Sequence, residues 1–411
     1  MTQPRKEKVI VAMSPKQSLR DVSGQADGAR KLRVLVAMSG GVDSSVAALL
    51  LQKQGYEVIG MFMHFWAENL GNEQDVTNKC CSVASFNDAR RVAQKLGFPL
   101  YTVNFDLPFK KMVVDEFIAG YGAGETPNPC VNCNKFIKFD LLREKADALR
   151  ADFIATGHYA KITRKPNGTL GLFRPKDREK DQTYFLYNLN QKNLGRVLFP
   201  LADLTKPQVR AIAKKAGLAV AEKPESQEIC FVSEKTHNEF LKRHLKMNPG
   251  PIKLLADNLT PTLSLKRRGG KSAGSGDDGL VLGEHQGLPL YTIGQRKGVE
   301  IGGSGPYYVA SCDQQTNTLY VVKDGEDKNL YKKTLKARDM NWVTSTAPKT
   351  PFTALAVIRY RHAPVAARID KAPQNRIIIR FSKSQRAVTA GQSVVIYRKN
   401  EVLGGGVIDR D

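Results

Sequence analysis

The residues best equipped for chemistry lie in three places. Ser39-Gly40-Gly41-Val42-Asp43-Ser44-Ser45 follows the apolar run Arg33–Met38 and precedes a helical pattern. Its glycines let the backbone turn tightly and point N–H groups at an anion. The serine hydroxyls add donors, and the helix beyond would aim the positive end of its dipole at the same point. Asp43 is placed to hold a Mg²⁺ ion on bound phosphates. Thr126-Pro-Asn128-Pro129-Cys130-Val-Asn-Cys133-Asn-Lys135-Phe-Ile-Lys138 holds a Cys-x-x-Cys, and Ser226-Gln-Glu-Ile-Cys230 holds a third cysteine far along the chain. Sulfur insertion needs one residue to carry a persulfide and a second thiol to release the product, and Lys135 and Lys138 would favour the thiolates. Two metal readings compete with this. Structural zinc wants four ligands, and Cys80-Cys81, which would have to complete the set, lack a typical spacing. Cys130, Cys133 and Cys230 could instead hold a [4Fe-4S] cluster with one open iron.

These residues belong to a chain of 411 with an ordinary globular share of apolar (41%) and charged (25%) residues but a formal net charge of +23. Such an excess suits a polyanionic partner, nucleic acid above all, because each neutralised phosphate releases counterions. Residues 331–411 hold 16 Lys or Arg against 5 Asp or Glu, so that end should face the polyanion. No apolar run approaches the length of a membrane span. Six cysteines in a chain of this size, without a secretory leader, indicate a reducing, cytoplasmic setting in which clustered cysteine is catalytic or metal-binding. The first 30 residues are basic and polar; they read as a disordered extension, with a mitochondrial transit peptide as the alternative.

The elements that must position the chemistry alternate between strand and helix. Arg33–Met38, Glu57–Phe62, Leu100–Asn104 and Phe153–Thr156 read as strands, and Asp43–Gly55, Asn87–Gly97 and Lys206–Gly217 as helices. That order predicts a parallel sheet with crossover helices. Asn167-Gly168 between Tyr159–Arg164 and Thr169–Phe173 marks a hairpin. Ser264–Gly279 is Gly/Ser-rich and charged and reads as a disordered insertion; its Gly270-Lys271-Ser272 lacks the preceding glycine of a Walker loop. Short alternating strands from Tyr307 onward predict a small antiparallel barrel. The expected architecture is α/β: a nucleotide-binding domain with a parallel sheet over 31–233, a small central domain over 234–304 containing the insertion 264–279, and a C-terminal barrel over 305–411 of a class often used to hold nucleic acid.

The string Ser39–Ser45 resembles the PP-loop of the ATP pyrophosphatase superfamily, whose members cleave ATP to AMP and pyrophosphate and adenylate a substrate oxygen. From about Leu32 the whole chain resembles the tRNA-specific 2-thiouridylase family. Beyond the strings already named, the match rests on Gly60-Met-Phe-Met63, Ala155-Thr-Gly157-His158, Lys180-Asp181-Gln182-Thr-Tyr-Phe-Leu186, Gly283-Glu-His285-Gln-Gly287, Gly294-Gln295-Arg296-Lys297-Gly298 and Ile358-Arg359-Tyr360-Arg361.

The resemblance implies an ATP- and Mg²⁺-dependent tRNA-uridine 2-sulfurtransferase acting on the wobble uridine of tRNAs for Lys, Glu and Gln. It implies that Ala37, Met38, Ser39, Gly40, Gly41, Val42, Asp43, Ser44, Met63 and Gly157 line the ATP site, with His158 beside it and in reach of tRNA. Asn128, Pro129 and Cys130 would meet the target base. Lys180, Asp181 and Gln182 would contact tRNA, joined by Arg359, Tyr360 and Gln392 from the barrel. Cys230 would carry the persulfide and Cys133 would pair with it in a disulfide as sulfur leaves. An upstream cysteine desulfurase or relay protein would donate the sulfur. Many members have Asp in place of Cys130, which keeps the cluster mechanism open. A PP-loop synthetase for a small metabolite, or a tRNA-binding protein without catalysis, would lack this combination of basic charge, loop and cysteines.

Overall fold

The computed structural model of the protein describes residues 30–68, 81–225, 229–232, 237–255, 280–299, 301 and 306–410. The expected N-terminal extension (apart from residue 30), Cys80, residues 226–228 and the insertion at 264–279 lie outside them.

Strand β1 (Arg33–Met38) is the centre of a five-stranded parallel sheet. β2 (Glu57–His64) and β3 (Leu100–Asn104) extend it on one side, and β4 (Phe153–Ala155) and β7 (Val197–Leu198) on the other. β1 is buried on both faces, which explains its unbroken apolar run. Val34, Val36 and Met38 pack beneath α1 (Val42–Lys53), α2 (Val83–Leu96) and α6 (Lys206–Lys215). Leu35 and Ala37 face the opposite core, built with Phe109, Phe117, Ile137 and Phe139. These come from two long helical segments. The first, α3, runs Asp106–Phe109, Lys110–Val114 and Asp115–Gly122; the second, α4, runs Pro129–Asn132, Cys133–Leu141 and Leu142–Ala148. The middle part of each is a π-helix. The sheet builds outward in opposite directions from β1, so β1 and β4 flank a topological switch point, where open α/β sheets bind ligands beyond the strand ends.

β5 (Lys161–Arg164) and β6 (Leu170–Phe173) form the expected hairpin, with Asn167 Oδ1 accepting from the Thr169 N–H and Gly168 at φ +81°. A short helix, α5 (Gln191–Leu194), lies between this hairpin and β7. Helix α7 (His237–His244) packs on the second core through Phe240 and Leu241.

The second sheet has the order β10-β11-β8-β9: Tyr308–Asp313, Thr318–Val322, Gly250–Leu254 and Val281–His285. The expected boundary at 305 therefore falls inside this sheet. β10 and β11 join the central unit through a parallel pairing of β11 with β8, a long-range contact that local alternation cannot reveal.

The barrel proper begins at β12 (Tyr331–Trp342). It continues through β13 (Phe352–Val357), β14 (Val365–Ala372), β15 (Arg376–Arg386), β16 (Ser393–Arg398) and β17 (Glu401–Ile408), and β12–β17 pairing closes it. It is not a separate body. Hairpin β5–β6 adds to it through Leu172 opposite Val402, and Lys165 reaches Glu401 at 2.6 Å.

Closure depends on Gly404-Gly405-Gly406 in β17. A Cβ at Gly405 would meet Tyr187 Cγ and the Val394 carbonyl at 2.7 Å. Gly405→Ala is expected to cost about 1–3 kcal/mol by overpacking, read as a lower unfolding midpoint. Gly283→Ala, where a Cβ meets nothing within 4 Å, is the control. Equal midpoints for the two variants would contradict the account.

Candidate active site

Ala37 and Met38 end β1 inside the core, and the chain turns at Ser39-Gly40-Gly41 into α1. Gly40 sits at φ +68°, and a Cβ there would lie 2.1 Å from the Ser85 carbonyl oxygen. No other residue type fits. Ser39 N–H donates to Ser44 Oγ at 3.3 Å, and the Ser44 and Ser45 hydroxyls reach the Gly41 carbonyl at 3.2 and 2.8 Å. Gly41 is the N-cap and offers no side chain to the first N–H groups of α1, so the turn presents donors suited to a phosphate. Lys223 braces it from behind, holding the Gly40 carbonyl at 3.0 Å and Asp88 at 2.7 Å. Burial opposes ionisation of Asp88, but Lys223 and Arg91 hold its carboxyl below the usual range.

Asp43 lies in the first turn of α1 and is held by two side chains. Tyr159 Oη donates to its Oδ1 at 2.9 Å, and Lys206 Nζ reaches both oxygens at 2.8 and 2.7 Å. Lys206 also meets Glu225 Oε1 at 3.0 Å, whose other oxygen holds Lys180 at 2.7 Å. The sequence reading missed Lys206, Tyr159 and Glu225. A signal existed for Lys206: a lysine in the first turn of a helix opposes the macrodipole and needs an anionic partner.

Burial works against the Glu225 charge, yet hydrogen bonds from Lys180 and Lys206 bring its carboxyl below the ordinary value. A carboxyl held lower in the folded than in the unfolded chain stabilises the fold above about pH 4.3, an effect lost as pH falls through its folded value. Glu225→Gln is therefore expected to flatten the dependence of melting temperature on pH between about 3 and 5. An unchanged acid limb would refute this.

Beyond β4 the chain passes Thr156-Gly157-His158. A Cβ on Gly157 would stand 2.7 Å from the Asp43 carbonyl carbon and the Ser44 nitrogen, so β4's end is pressed against the phosphate loop. Met63, 7% exposed, comes up beside it from β2. The His158 ring hydrogen-bonds Thr156 Oγ1 at 2.7 Å and packs against the rings of Phe139 and Phe199, which also meet each other. Burial, aided by the Lys138 charge, pushes its pKa well down and keeps the imidazole neutral.

The structure gives Lys180, Asp181 and Gln182 internal partners. Lys180 holds Glu225, Asp181 accepts from the Thr183 N–H and hydroxyl, and Gln182 Oε1 accepts from the Tyr159 N–H. Asn128 is the N-cap of α4 but makes no side-chain cap, and Pro129 takes the first helical position. Cys130 is half-buried; Cys133 is 7% exposed and starts the π-helical stretch. Such stretches frequently mark functional sites. Cys133 shares the second core with Ala37 and Met63, and Cys230 packs on that same core. Among the described residues no group of three or more His, Cys, Asp or Glu is placed to hold a metal ion. Cys312 lies apart in β10, where burial pushes its thiol up to about 12.

Arg359, Tyr360 and Gln392 reach this region from the barrel. Gln392 Nε2 donates to the Thr126 carbonyl at 2.7 Å, and the Tyr360 ring rests 4.6 Å from that of Phe185. Arg359 and Gln392 line a cavity of about 330 Å³ with Thr126, Thr292, Gly294 and Gln295, so all three units meet just before Asn128.

A parallel sheet with a glycine–serine loop at its switch point, carrying two further β units, defines a nucleotide-binding protein of the PP-loop class. Family models describe its parts: "tRNA methyl transferase HUP domain" over 32–234, "tRNA methyl transferase PRC-barrel domain" over 264–323 and "Aminomethyltransferase beta-barrel domain" over 332–408. The tRNA-specific 2-thiouridylase MnmA of Carboxydothermus hydrogenoformans is 45% identical over 381 residues, spanning 92% of this chain and 98% of that protein. Its counterpart in Geobacter metallireducens is 44% identical over 385 residues, spanning 93% and 97%. The chain belongs to the tRNA-specific 2-thiouridylase family. No helix among the described residues is long and apolar enough to cross a membrane.

Proposed function

We propose that the protein is an ATP-dependent tRNA-uridine 2-sulfurtransferase acting on the wobble uridine of tRNAs for Lys, Glu and Gln. The observation that carries this reading is the shared core: Cys133 belongs to the same apolar core as Ala37 and Met63 of the phosphate-loop side, and Cys230 packs on that core. The loop and the first turn of α1 suit the ATP phosphates, and Asp43 suits Mg²⁺, since its carboxylate stands in that first turn. Bound there, Mg²⁺ would neutralise charge on the departing pyrophosphate.

The base leaves its stack and is received by Asn128, Pro129 and Cys130. Its C2 oxygen attacks the α-phosphorus and pyrophosphate departs. The terminal sulfur of a Cys230 persulfide then attacks C2 and AMP departs with the original oxygen. The Cys133 thiolate attacks Cys230 Sγ, which breaks the S–S bond, leaves sulfur on C2 and joins the two cysteines. A dithiol reductant and a sulfur-donating desulfurase or relay protein restore the enzyme. Arg359, Tyr360 and Gln392 steady the tRNA at the junction of the three units, and the basic barrel supplies phosphate contacts. Lys180, Asp181 and Gln182 shape the floor on which it rests.

Uridine carrying ¹⁸O at C2 of the wobble position provides the test. The reading requires that the label appear in the phosphate of AMP by mass spectrometry. Label found in water or retained in the tRNA would defeat it.

A further inference from the structure

Lys206 is 6% exposed, and among the described residues no other lysine or arginine is buried. A buried ammonium is costly unless anions hold it. It also stands at the first position of α6, where the helix dipole disfavours a cation. The groups facing it are Asp43 on α1, Glu225 before the Cys230 segment, and the Tyr159 ring with its centroid 5.9 Å away. Lys180 reaches the cluster through Glu225.

Lys206 and Lys180 thus meet Asp43 and Glu225, and Asp177 accepts from the backbone N–H of both lysines. The Ser39–Ser45 string has no lysine of its own. A metal ion on Asp43 would withdraw the carboxylate that Lys206 grips at two oxygens. Glu225 alone would then hold the ammonium, and the polyphosphate cradled by the adjoining N-terminus of α1 would supply the second anion.

We propose that Lys206 is the polyphosphate-binding cation of this site, held on Asp43 in the absence of nucleotide and transferred to the departing pyrophosphate portion of ATP when Asp43 takes Mg²⁺. The proposal rests on the ATP-binding reading above. It has a consequence of opposite sign for the two ligands, because Lys206 competes with the metal for Asp43 and assists the nucleotide.

The test is direct binding to the full-length protein, without turnover. In Lys206→Met the Kd for Mg²⁺·α,β-methylene-ATP, by calorimetry, is expected to rise about tenfold or more, the effect of losing one charged hydrogen-bonding partner. Mn²⁺ binding without nucleotide, followed by electron paramagnetic resonance, should tighten roughly severalfold as Asp43 loses its competing cation. Lys206→Arg should restore most of the nucleotide affinity. Lys206→Gln serves in place of Met if the melting curve shows that the Met protein has lost its fold. Unchanged nucleotide affinity, or parallel weakening of both ligands as a merely disturbed fold would give, overturns the proposal. Wild-type protein that binds no Mg²⁺-nucleotide would remove the parent reading instead.

Discussion

A Cys230→Ser protein is expected to release pyrophosphate and leave adenylated tRNA in the presence of tRNA and ATP yet form no 2-thiouridine, a loss of at least about 10³-fold because a hydroxyl cannot carry transferable sulfur. Cys133→Ser should fail at the next step. Sulfur attaches to the base, the enzyme–tRNA link through Cys230 persists, and added dithiothreitol releases thiolated tRNA. Cys312→Ser should be unaffected, since that thiol, pushed up to about 12 and placed in the central sheet, is neither a thiolate at neutral pH nor near the site. Cys130→Ser separates the two sulfur chemistries. The persulfide route has no step that needs Cys130 as a thiol, so product should still form. A cluster held by all three cysteines would instead lose both the product and the visible absorbance of anaerobically reconstituted protein. Thiolation by Cys230→Ser at the wild-type rate would refute the assignment of the sulfur carrier.

Gly157→Ala should lower ATP affinity about tenfold or more, since overpacking of this kind costs roughly 1–3 kcal/mol and the strain falls on the turn that meets the phosphates. The reason is steric. A methyl group 2.7 Å from both the Asp43 carbonyl carbon and the Ser44 nitrogen must push the first turn of α1 away from β4. Those are backbone atoms held by the helix and by the Lys223 brace, so neither side can yield cheaply. Calorimetry with α,β-methylene-ATP checks this against Gly283→Ala, which meets nothing. Equal affinities would mean that the close approach has no part in the nucleotide site.

The parts of the fold legible in the sequence were those with a local signature. β1 is an unbroken apolar run because both faces are covered, and the loop after it is a string of residues chosen for backbone geometry. The β5–β6 hairpin is marked by Asn167-Gly168. Other parts depend on distant partners. α3 and α4 carry apolar residues whose positions shift at their π-helical turns, which blurs a 3.6-residue period. β12 and β14 set Lys and Arg on their outward faces and read as polar segments until the barrel closes around Leu335, Ala337, Ala367 and Ile369. The pairing of β11 with β8 spans most of the central unit, so no local pattern announces it.

The candidate site divides in the same way. Ser39–Ser45 and the two cysteine segments are recognisable from residue types alone. Glu225 looks like a surface charge in sequence and becomes visible only when helix α6 sets Lys206 between it and Asp43. The three residues Lys180, Asp181 and Gln182 show the reverse. A charged string suggests an open contact surface, yet each side chain is used inside the protein.

The most direct measurement is formation of 2-thiouridine on unmodified tRNA-Lys by purified protein, with Mg²⁺, ATP, a dithiol reductant and a persulfide-forming sulfur source, followed by nucleoside mass spectrometry. Wild-type protein is expected to convert the wobble uridine with one AMP released per sulfur inserted, and Asp43→Ala to do neither. AMP formed on another acceptor with no thiolated uridine, or sulfur inserted equally well by Asp43→Ala, would contradict ATP-driven thiolation at this site.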